Sequence, residues 1–227
     1  MTLPAHTPVA ERTGRLRAVL FDMDGLLVDS EPVWTVGGSE LMARLNGPWS
    51  LDVKALVVGR RVDEACRIFV EVAGSSVPAE EAQEWLVARM CALYRADLPV
   101  LPGALELVDA CRAAGVATAL VSSSYRALVE AALETLGADR FDVTVAGDEV
   151  ALAKPAPEPY ERAAAALGAH PGDCVVVEDS LAGCLSGEAA GCAVVAVPNV
   201  VDVPGAPGRT VVASLTELTV ERLRGLV

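Results

Sequence analysis

The chain has 227 residues, of which 52% are hydrophobic and only 4% aromatic, so we expect a sizeable core built mainly from alanine, valine and leucine. Its net charge of −13 argues against nucleic acid and anionic membranes as main partners, because both reward basic surfaces. No apolar run reaches the roughly 18 residues typical of a membrane helix. We therefore expect a cytoplasmic protein that binds neither nucleic acid nor a membrane.

The cysteines and the first residues carry little functional signal. The six cysteines are scattered and include no Cys-x-x-Cys pair, which favours reduced, mostly buried thiols over disulfides. Residues 1–16 contain Pro4 and Pro8 but lack the apolar segment of a signal peptide, so they are predicted to form a flexible tail.

The predicted elements begin with a short apolar strand at residues 17–20 and then change character. Residues 32–98 show helical periodicity, and the helices are expected at 33–45, 62–72 and 79–94. The proline-containing segment 99–103 then leads back to a region in which strands and helices alternate. In that region we expect strands at 117–121, 143–146, 174–177 and 193–197 and helices at 104–114, 125–136, 158–167, 181–190 and 215–226.

This alternation is typical of a parallel sheet covered by helices on both faces. We therefore predict an α/β fold whose Rossmann-like core is formed by residues 1–31 and 99–227. Residues 32–98 are predicted to form a small all-helical cap, inserted after the first strand.

Two aspartates follow the first predicted strand. Asp22 and Asp24 stand two residues apart, and Gly25 comes directly behind them. In open α/β sheets ligands bind at the carboxyl ends of the strands, which favours a catalytic role for these acids. The alternative, which this stretch leaves open, is an acidic turn in which aspartate and glycine only satisfy turn geometry.

Three further stretches lie at strand ends or in a nearby loop. The serine run 122–124 follows an apolar strand and fits either a helix N-cap or an anion site. Lys154, one of only two lysines, precedes a proline on a short rigid loop, where a surface lysine is the simpler alternative. Glu178 and Asp179 end another strand, and adjacent carboxylates in a partly buried site favour a bound cation.

These groups match what phosphoryl transfer through a carboxylate requires. A carboxylate that attacks an anionic phosphorus needs its own charge offset, and a lysine together with a hard divalent cation can do this. Mg²⁺ is the expected cofactor, because it prefers oxygen ligands and commonly binds one or two carboxylates together with a substrate phosphate.

The four stretches, in this order, resemble the four motifs of the haloacid dehalogenase superfamily, in particular the branch with a small helical cap between its first and second motifs. The resemblance spans the chain from Arg17 onward. The motifs are Asp22-Met23-Asp24-Gly25 continuing to Asp29-Ser30-Glu31, then Ser122, Lys154-Pro155-Ala156-Pro157, and Glu178-Asp179-Ser180-Leu181-Ala182-Gly183.

The resemblance implies a role for each motif residue. Asp22 would be the nucleophile that forms an aspartyl-phosphate, and Asp24 would protonate the leaving oxygen and then activate water. Ser122, the backbone N–H of Ser123 and Lys154 would stabilise the phosphoryl oxygens. The implied Mg²⁺ ligands are Asp22, the backbone carbonyl of Asp24, Asp179 and, directly or through water, Glu178.

The acid at Asp24 favours a phosphate ester, since the dehalogenases of the superfamily lack an acid at this place. The implied function is a Mg²⁺-dependent phosphatase acting on a small phosphorylated metabolite, and we expect a sugar phosphate. A phosphosugar mutase of the β-phosphoglucomutase type is the alternative, although Trp34 stands where those mutases have a cap histidine. A binding protein without catalysis is a third possibility, which the intact motifs oppose.

Candidate substrate contacts are Ser123 from the second motif, Glu31 from the end of the first, and Arg60 and Arg61 from the cap. An arginine fork can grip a charged or hydroxyl-rich leaving group, although a solvated helix start explains the same two arginines equally well. We expect the protein to be a monomer or a weak homodimer.

Overall fold

The computed structural model describes residues 13–58 and 60–227. Within these residues six strands form one parallel sheet. The strands are β1 (Ala18–Phe21), β2 (Ala117–Val121), β3 (Val143–Val145), β4 (Cys174–Glu178), β5 (Ala193–Ala196) and β6 (Arg209–Val211). Their spatial order is β3-β2-β1-β4-β5-β6, so β1 lies in the middle, between β2 and β4.

Five helices lie between β1 and β2 along the chain, and we call the segment that holds the first four the helical insert. These four are α1 (Glu31–Arg44), α2 (Leu51–Val57), α3 (Val62–Ala73) and α4 (Ala79–Ala96). The remaining helices are α5 (Ala104–Ala113), α6 (Arg126–Leu136), α7 (Glu158–Ala166), α8 (Leu181–Ala189) and α9 (Val220–Arg224).

The sheet is buried on both faces. Alternate residues of β1 point to opposite sides: Val19 and Phe21 join one apolar cluster, and Ala18 and Leu20 join the other. The first cluster includes residues of α5, α6 and α9, and the second includes residues of α7 and α8. Continuous apolar strands covered on both faces are typical of parallel sheets, so the α/β fold class predicted from the sequence is confirmed.

The helical insert packs on the core through α4, which contacts α6 as well as α1 and α3. The two chain segments that join the insert to the core run side by side. Asp29 N–H donates to the carbonyl of Pro99 at 2.8 Å, and Leu101 N–H donates to the carbonyl of Leu27 at 2.9 Å. The insert therefore leaves and re-enters the core at one place, directly beyond the end of β1.

Several element predictions need correction. Helix α2 and strand β6 were not expected. The closing helix predicted at 215–226 is wrong, because a 3₁₀ turn (Leu215–Glu217) and the short helix α9 occupy that segment. Ser214 and Thr219 each cap one of these pieces through a side-chain oxygen, so two separate helical starts replace one continuous helix.

The start of the chain, its cysteines and its helices bear on three further predictions. Residues 1–12 lie outside the described residues. Thr13 and Gly14, which the sequence assigned to the tail, are anchored, since their backbone N–H groups donate to the Asp173 carboxylate at 2.6 and 2.8 Å. All six cysteines are buried and free, as predicted. Across 13–58 and 60–227, none of the helices combines the length and apolar character needed to cross a membrane.

Candidate active site

The motif residues meet at the carboxyl edge of the sheet. Asp22 follows the last residue of β1, Ser122 follows the last residue of β2, and Glu178 ends β4. Because β2 and β4 flank β1, three strand ends deliver these side chains to one place. The crevice at the carboxyl ends, where the strand order reverses, is the usual ligand site of such sheets.

Lys154 reaches this edge from the loop between β3 and α7. Its ammonium group donates to Oδ1 of Asp22 at 2.6 Å, to Oε1 of Glu178 at 2.7 Å and to the carbonyl of Val121 at 2.9 Å. These bonds use all three protons of the ammonium group. Burial would lower the pKa of Lys154, but the two carboxylates outweigh it and raise that pKa, so the lysine is charged.

Glu178 is fully buried and saturated with donors. Oε1 accepts from Lys154 and from the Tyr160 hydroxyl at 2.8 Å, while Oε2 accepts from Asp179 N–H and from both the N–H and the hydroxyl of Ser180. Burial opposes its ionisation, but the Lys154 ammonium and the hydrogen bonds lower the pKa of Glu178. Five donors are at least as many as one carboxylate can accept, so little capacity is left for another ligand. Through these bonds Glu178 orients Lys154 and the start of α8.

The close approach of Glu178 to α8 depends on Gly183, in the first turn of that helix. A Cβ at this position would lie 1.6 Å from Oε1 of Glu178, a distance no side chain tolerates. The glycine of the fourth motif is therefore explained by the space that the carboxylate occupies.

Asp24 is held by three hydroxyl groups. Its Oδ2 accepts from Ser122 at 3.1 Å and from Ser124 at 2.8 Å, and its Oδ1 accepts from the Tyr94 hydroxyl at 2.8 Å. Tyr94 comes from α4 of the helical insert and is fully buried. Burial, followed by the nearby Asp24 carboxylate, raises the pKa of Tyr94 well above the ordinary value of tyrosine, so its hydroxyl stays protonated and acts as a donor.

The remaining negative charge is concentrated at Asp22 and Asp179. Ligand oxygens of Asp22, Glu178 and Asp179 all lie within 4.8 Å of one another. Burial, together with the neighbouring carboxylates, raises the pKa of Asp22 well above its ordinary value despite the opposing charge of Lys154. Burial and the charge of Glu178 raise the pKa of Asp179 to about 8. A cation would favour the ionised forms of Asp22 and Asp179, and hard oxygen ligands of this kind fit a divalent metal such as Mg²⁺.

The predicted substrate-contact residues are more dispersed. Ser123 is exposed at the sheet edge, beside the buried Ser122. Glu31 forms an ion pair of 2.7 Å with Lys54 inside the helical insert. Arg60 is about half exposed, with Nε donating to the carbonyl of Leu56, whereas Arg61 pairs with Asp63 and lies beside Tyr125, the residue before α6.

Sequence reasoning missed Tyr94, Tyr160 and the specific role of Ser124. The serine run indicates hydroxyl donors, but neither tyrosine carries a signal, because each looks like an ordinary aromatic residue on the buried side of a helix. Their hydroxyl groups reach the site only through the packing of α4 and α7. Distant helices therefore supply contacts that local motifs do not reveal.

A parallel sheet that gathers carboxylates and a lysine at its carboxyl edge has the positioned charges that phosphoryl-transfer enzymes require. A family model described as "Hydrolase: haloacid dehalogenase-like hydrolase" matches residues 16–191. Hexitol phosphatase B from Escherichia coli (strain K12) is 33% identical over 225 residues, which cover 93% of this chain and 98% of that protein. The chain belongs to the haloacid dehalogenase-like hydrolases, and the predicted enzyme class is confirmed.

Two solved structures illustrate the likeness. CbbY from Rhodobacter sphaeroides, in complex with phosphate, superposes with a TM-score of 0.82 at 27% identity and covers 92% of this chain and 99% of its own. A putative beta-phosphoglucomutase from Thermotoga maritima gives a TM-score of 0.73 at 26% identity, covering 88% of this chain and 95% of its own. The structural relatives thus include a protein crystallised with phosphate and a putative beta-phosphoglucomutase.

Proposed function

We propose that the protein is a Mg²⁺-dependent phosphatase that hydrolyses a small phosphomonoester, a sugar phosphate by preference, through an aspartyl-phosphate. The observation that carries the proposal is the ammonium group of Lys154, which binds the Asp22 carboxylate at 2.6 Å while Asp24 stands beside Ser122. These residues would supply a nucleophile, a charge partner and an acid/base at one sheet edge. The similarity to hexitol phosphatase B supports a sugar-related substrate.

In the first step a carboxylate oxygen of Asp22 attacks phosphorus, and the bond between phosphorus and the leaving oxygen breaks. Protonated Asp24 gives its proton to that oxygen, so the product leaves as a neutral alcohol. In the second step Asp24 takes a proton from water, and the resulting hydroxide displaces Asp22 from phosphorus. Phosphate is released, and both carboxyl groups return to their starting forms.

Three groups are proposed to bind the phosphoryl oxygens during both steps. Lys154 contributes a fixed positive charge, and Ser122 contributes a hydroxyl that needs only to turn from Asp24 toward the phosphate. The N–H of Ser123 adds a backbone donor at the exposed edge. Preorganised donors of this kind stabilise charge that develops in the transition state.

The proposed metal ligands are Asp22, Asp179 and the backbone carbonyl of Asp24. Bound Mg²⁺ would offset the charge of these carboxylates and of the substrate phosphate. The five hydrogen bonds of Glu178 support an indirect role for this residue, through Lys154 or a water molecule.

We further propose that residues 32–98 act as a substrate-selecting cap over a core formed by residues 1–31 and 99–227. Arg61 is the better candidate for a cap contact than Arg60, because it lies beside Tyr125 at the edge of the core. Glu31, already paired with Lys54, would contact substrate only through an accessible carboxylate oxygen. A cytoplasmic location and a monomer or weak homodimer stay predictions.

A phosphosugar mutase is the second candidate, and the similarity to a putative beta-phosphoglucomutase favours it. Trp34 opposes it, because an indole cannot exchange protons as a histidine does. The insert sequence contains no histidine, since the two in the chain are His6 and His170. Conversion of β-glucose 1-phosphate to glucose 6-phosphate without matching phosphate release would favour the mutase.

The test is phosphate release from a panel of sugar phosphates, nucleotides and other phosphomonoesters, with Mg²⁺ or with EDTA. We expect Mg²⁺-dependent release that Asp22→Asn abolishes. Asp139→Asn, an exposed aspartate ahead of the amino end of β3, is the matched control and should leave the rate unchanged. Release that survives both EDTA and Asp22→Asn would refute the proposal.

A further inference from the structure

The helical insert contacts the acid/base carboxylate directly. Tyr94, in the last two turns of α4, places its hydroxyl 2.8 Å from Oδ1 of Asp24. Among the described residues of the insert, it is the one whose side chain hydrogen-bonds to the carboxylate of Asp22, Asp24, Glu178 or Asp179. The tyrosine hydroxyl is the donor in this bond, and the carboxylate oxygen is the acceptor.

The two oxygens of Asp24 have different surroundings. Oδ2 faces the core hydroxyls of Ser122 and Ser124, on the side where the phosphate is proposed to bind. Oδ1 faces the insert and is held by Tyr94. When Ser122 turns to a phosphoryl oxygen, Oδ2 loses one of its two donors while Oδ1 keeps its own. The tyrosine hydroxyl is therefore the anchor that persists on the far side of the carboxylate.

Tyr94 also lies where the insert joins the core. Ser30, directly before α1, and Trp34 are close enough to the Tyr94 hydroxyl to influence it. Asp29 and Pro99 pair the two connecting segments nearby. The two segments that join the insert to the core thus lie near the Tyr94 hydroxyl, which holds Asp24. The position of Asp24 therefore depends on how α4 packs against the core.

We propose that Tyr94 is a positioning residue, whose hydroxyl holds Oδ1 of Asp24 so that Oδ2 is aimed at the leaving oxygen of the substrate. This inference rests on the proposed phosphatase function. It assigns Tyr94 to the acid/base step and not to phosphate binding or metal binding. Loss of the hydroxyl should then slow reactions in proportion to their need for a proton donor.

Tyr94→Phe removes the hydroxyl and keeps the ring. Two substrates separate the roles: glucose 6-phosphate, whose alkoxide leaving group needs a proton, and 2,4-dinitrophenyl phosphate, whose leaving group does not. We expect kcat/KM to fall about 10- to 100-fold for the first, part of the usual effect of general acid catalysis, and to change less than about threefold for the second.

Tyr160→Phe is the matched control, because it also removes one buried tyrosine hydroxyl, but from Glu178. It should slow the hydrolysis of both esters by a similar factor, since it acts on Lys154 and not on Asp24.

Ser124→Ala removes a donor from the Oδ2 side of Asp24 and should show the same ester selectivity as Tyr94→Phe. This second variant tests whether the hydroxyl groups that hold Asp24 act in the acid/base step, independently of packing in α4.

The possible outcomes separate the two claims. Equal slowing of both esters by Tyr94→Phe, or no slowing of the glucose 6-phosphate reaction, would overturn the inference while leaving the phosphatase proposal intact. A wild-type protein that releases no phosphate from either ester with Mg²⁺ would overturn the proposed function itself. Selective loss with glucose 6-phosphate supports both.

Discussion

We predict that Gly183→Ala, which adds one methyl group, destabilises and inactivates the protein. A Cβ there would lie 1.6 Å from Oε1 of Glu178 and 1.9 Å from its carboxyl carbon. Helix propensity acts in the opposite direction, because alanine is favoured over glycine inside a helix by about 1 kcal/mol. The sign of the result therefore depends on whether Glu178 can move.

The carboxylate of Glu178 is the end of a flexible side chain, but its contacts hold it in place. It is fully buried, and turning it away would break its ion pair with Lys154 and its bond from Tyr160. Removing one partner from a buried ion pair costs about 3–5 kcal/mol, which exceeds the helix gain. The free energy of unfolding should therefore fall by about 2–4 kcal/mol. Because Lys154 loses its support, kcat/KM should fall at least about 100-fold.

Gly187→Ala, one turn later in α8, is the matched control. A Cβ there would lie 3.0–3.1 Å from the side chain of Val176, so overpacking of about 1–3 kcal/mol less the same helix gain leaves a net loss of about 0–2 kcal/mol. Urea unfolding measures the free energy of both variants, and phosphate release measures their activity. A Gly183→Ala protein as stable and active as Gly187→Ala would refute the claim that Glu178 is fixed.

Three further predictions concern charged side chains. Lys154→Met should lower kcat/KM at least about 100-fold, measured by phosphate release. Arg61→Gln should raise KM for the preferred substrate with little change in kcat, as loss of a uniform binding contact does. Although burial opposes it, hydrogen bonds from Thr13 and Gly14 lower the pKa of Asp173. Its contribution is fully present above the unfolded pKa of about 3.9 and is lost as the pH falls through the lower folded pKa, so Asp173→Ala should cost about 1–3 kcal/mol at pH 7 and less at pH 3 by urea unfolding.

The core motifs were predictable because each follows a readable strand. Asp22, Ser122 and Glu178 stand at the ends of short apolar runs, and parallel strands share a carboxyl edge, so the sequence alone is enough to bring the three side chains together. Lys154 was detectable for a different reason, since it is one of two lysines in an acidic chain. Local pattern and composition therefore accounted for the centre of the site.

The missed parts depend on short segments and on packing. Strand β6 has three residues and includes Arg209, whose guanidinium pairs with Glu188 of α8 at 2.7 Å, so its sequence lacks the apolar run of a core strand. The predicted closing helix failed because Thr219 starts a second helix inside it. Tyr94 and Tyr160 could not be assigned, because a helical pattern shows which side of a helix is buried but not which polar group its hydroxyl meets.

The charge balance of the site links these observations to the proposed metal. Lys154 is the one ammonium group among the described side chains that contact Asp22 and Glu178, and its three protons are already used. It lowers the pKa of Glu178 but does not prevent the pKa values of Asp22 and Asp179 from rising. A phosphate ester adds further negative charge to a protein whose net charge is −13. Lysine alone therefore cannot balance the substrate complex, and this deficit is the physical reason to expect a divalent cation between Asp22 and Asp179.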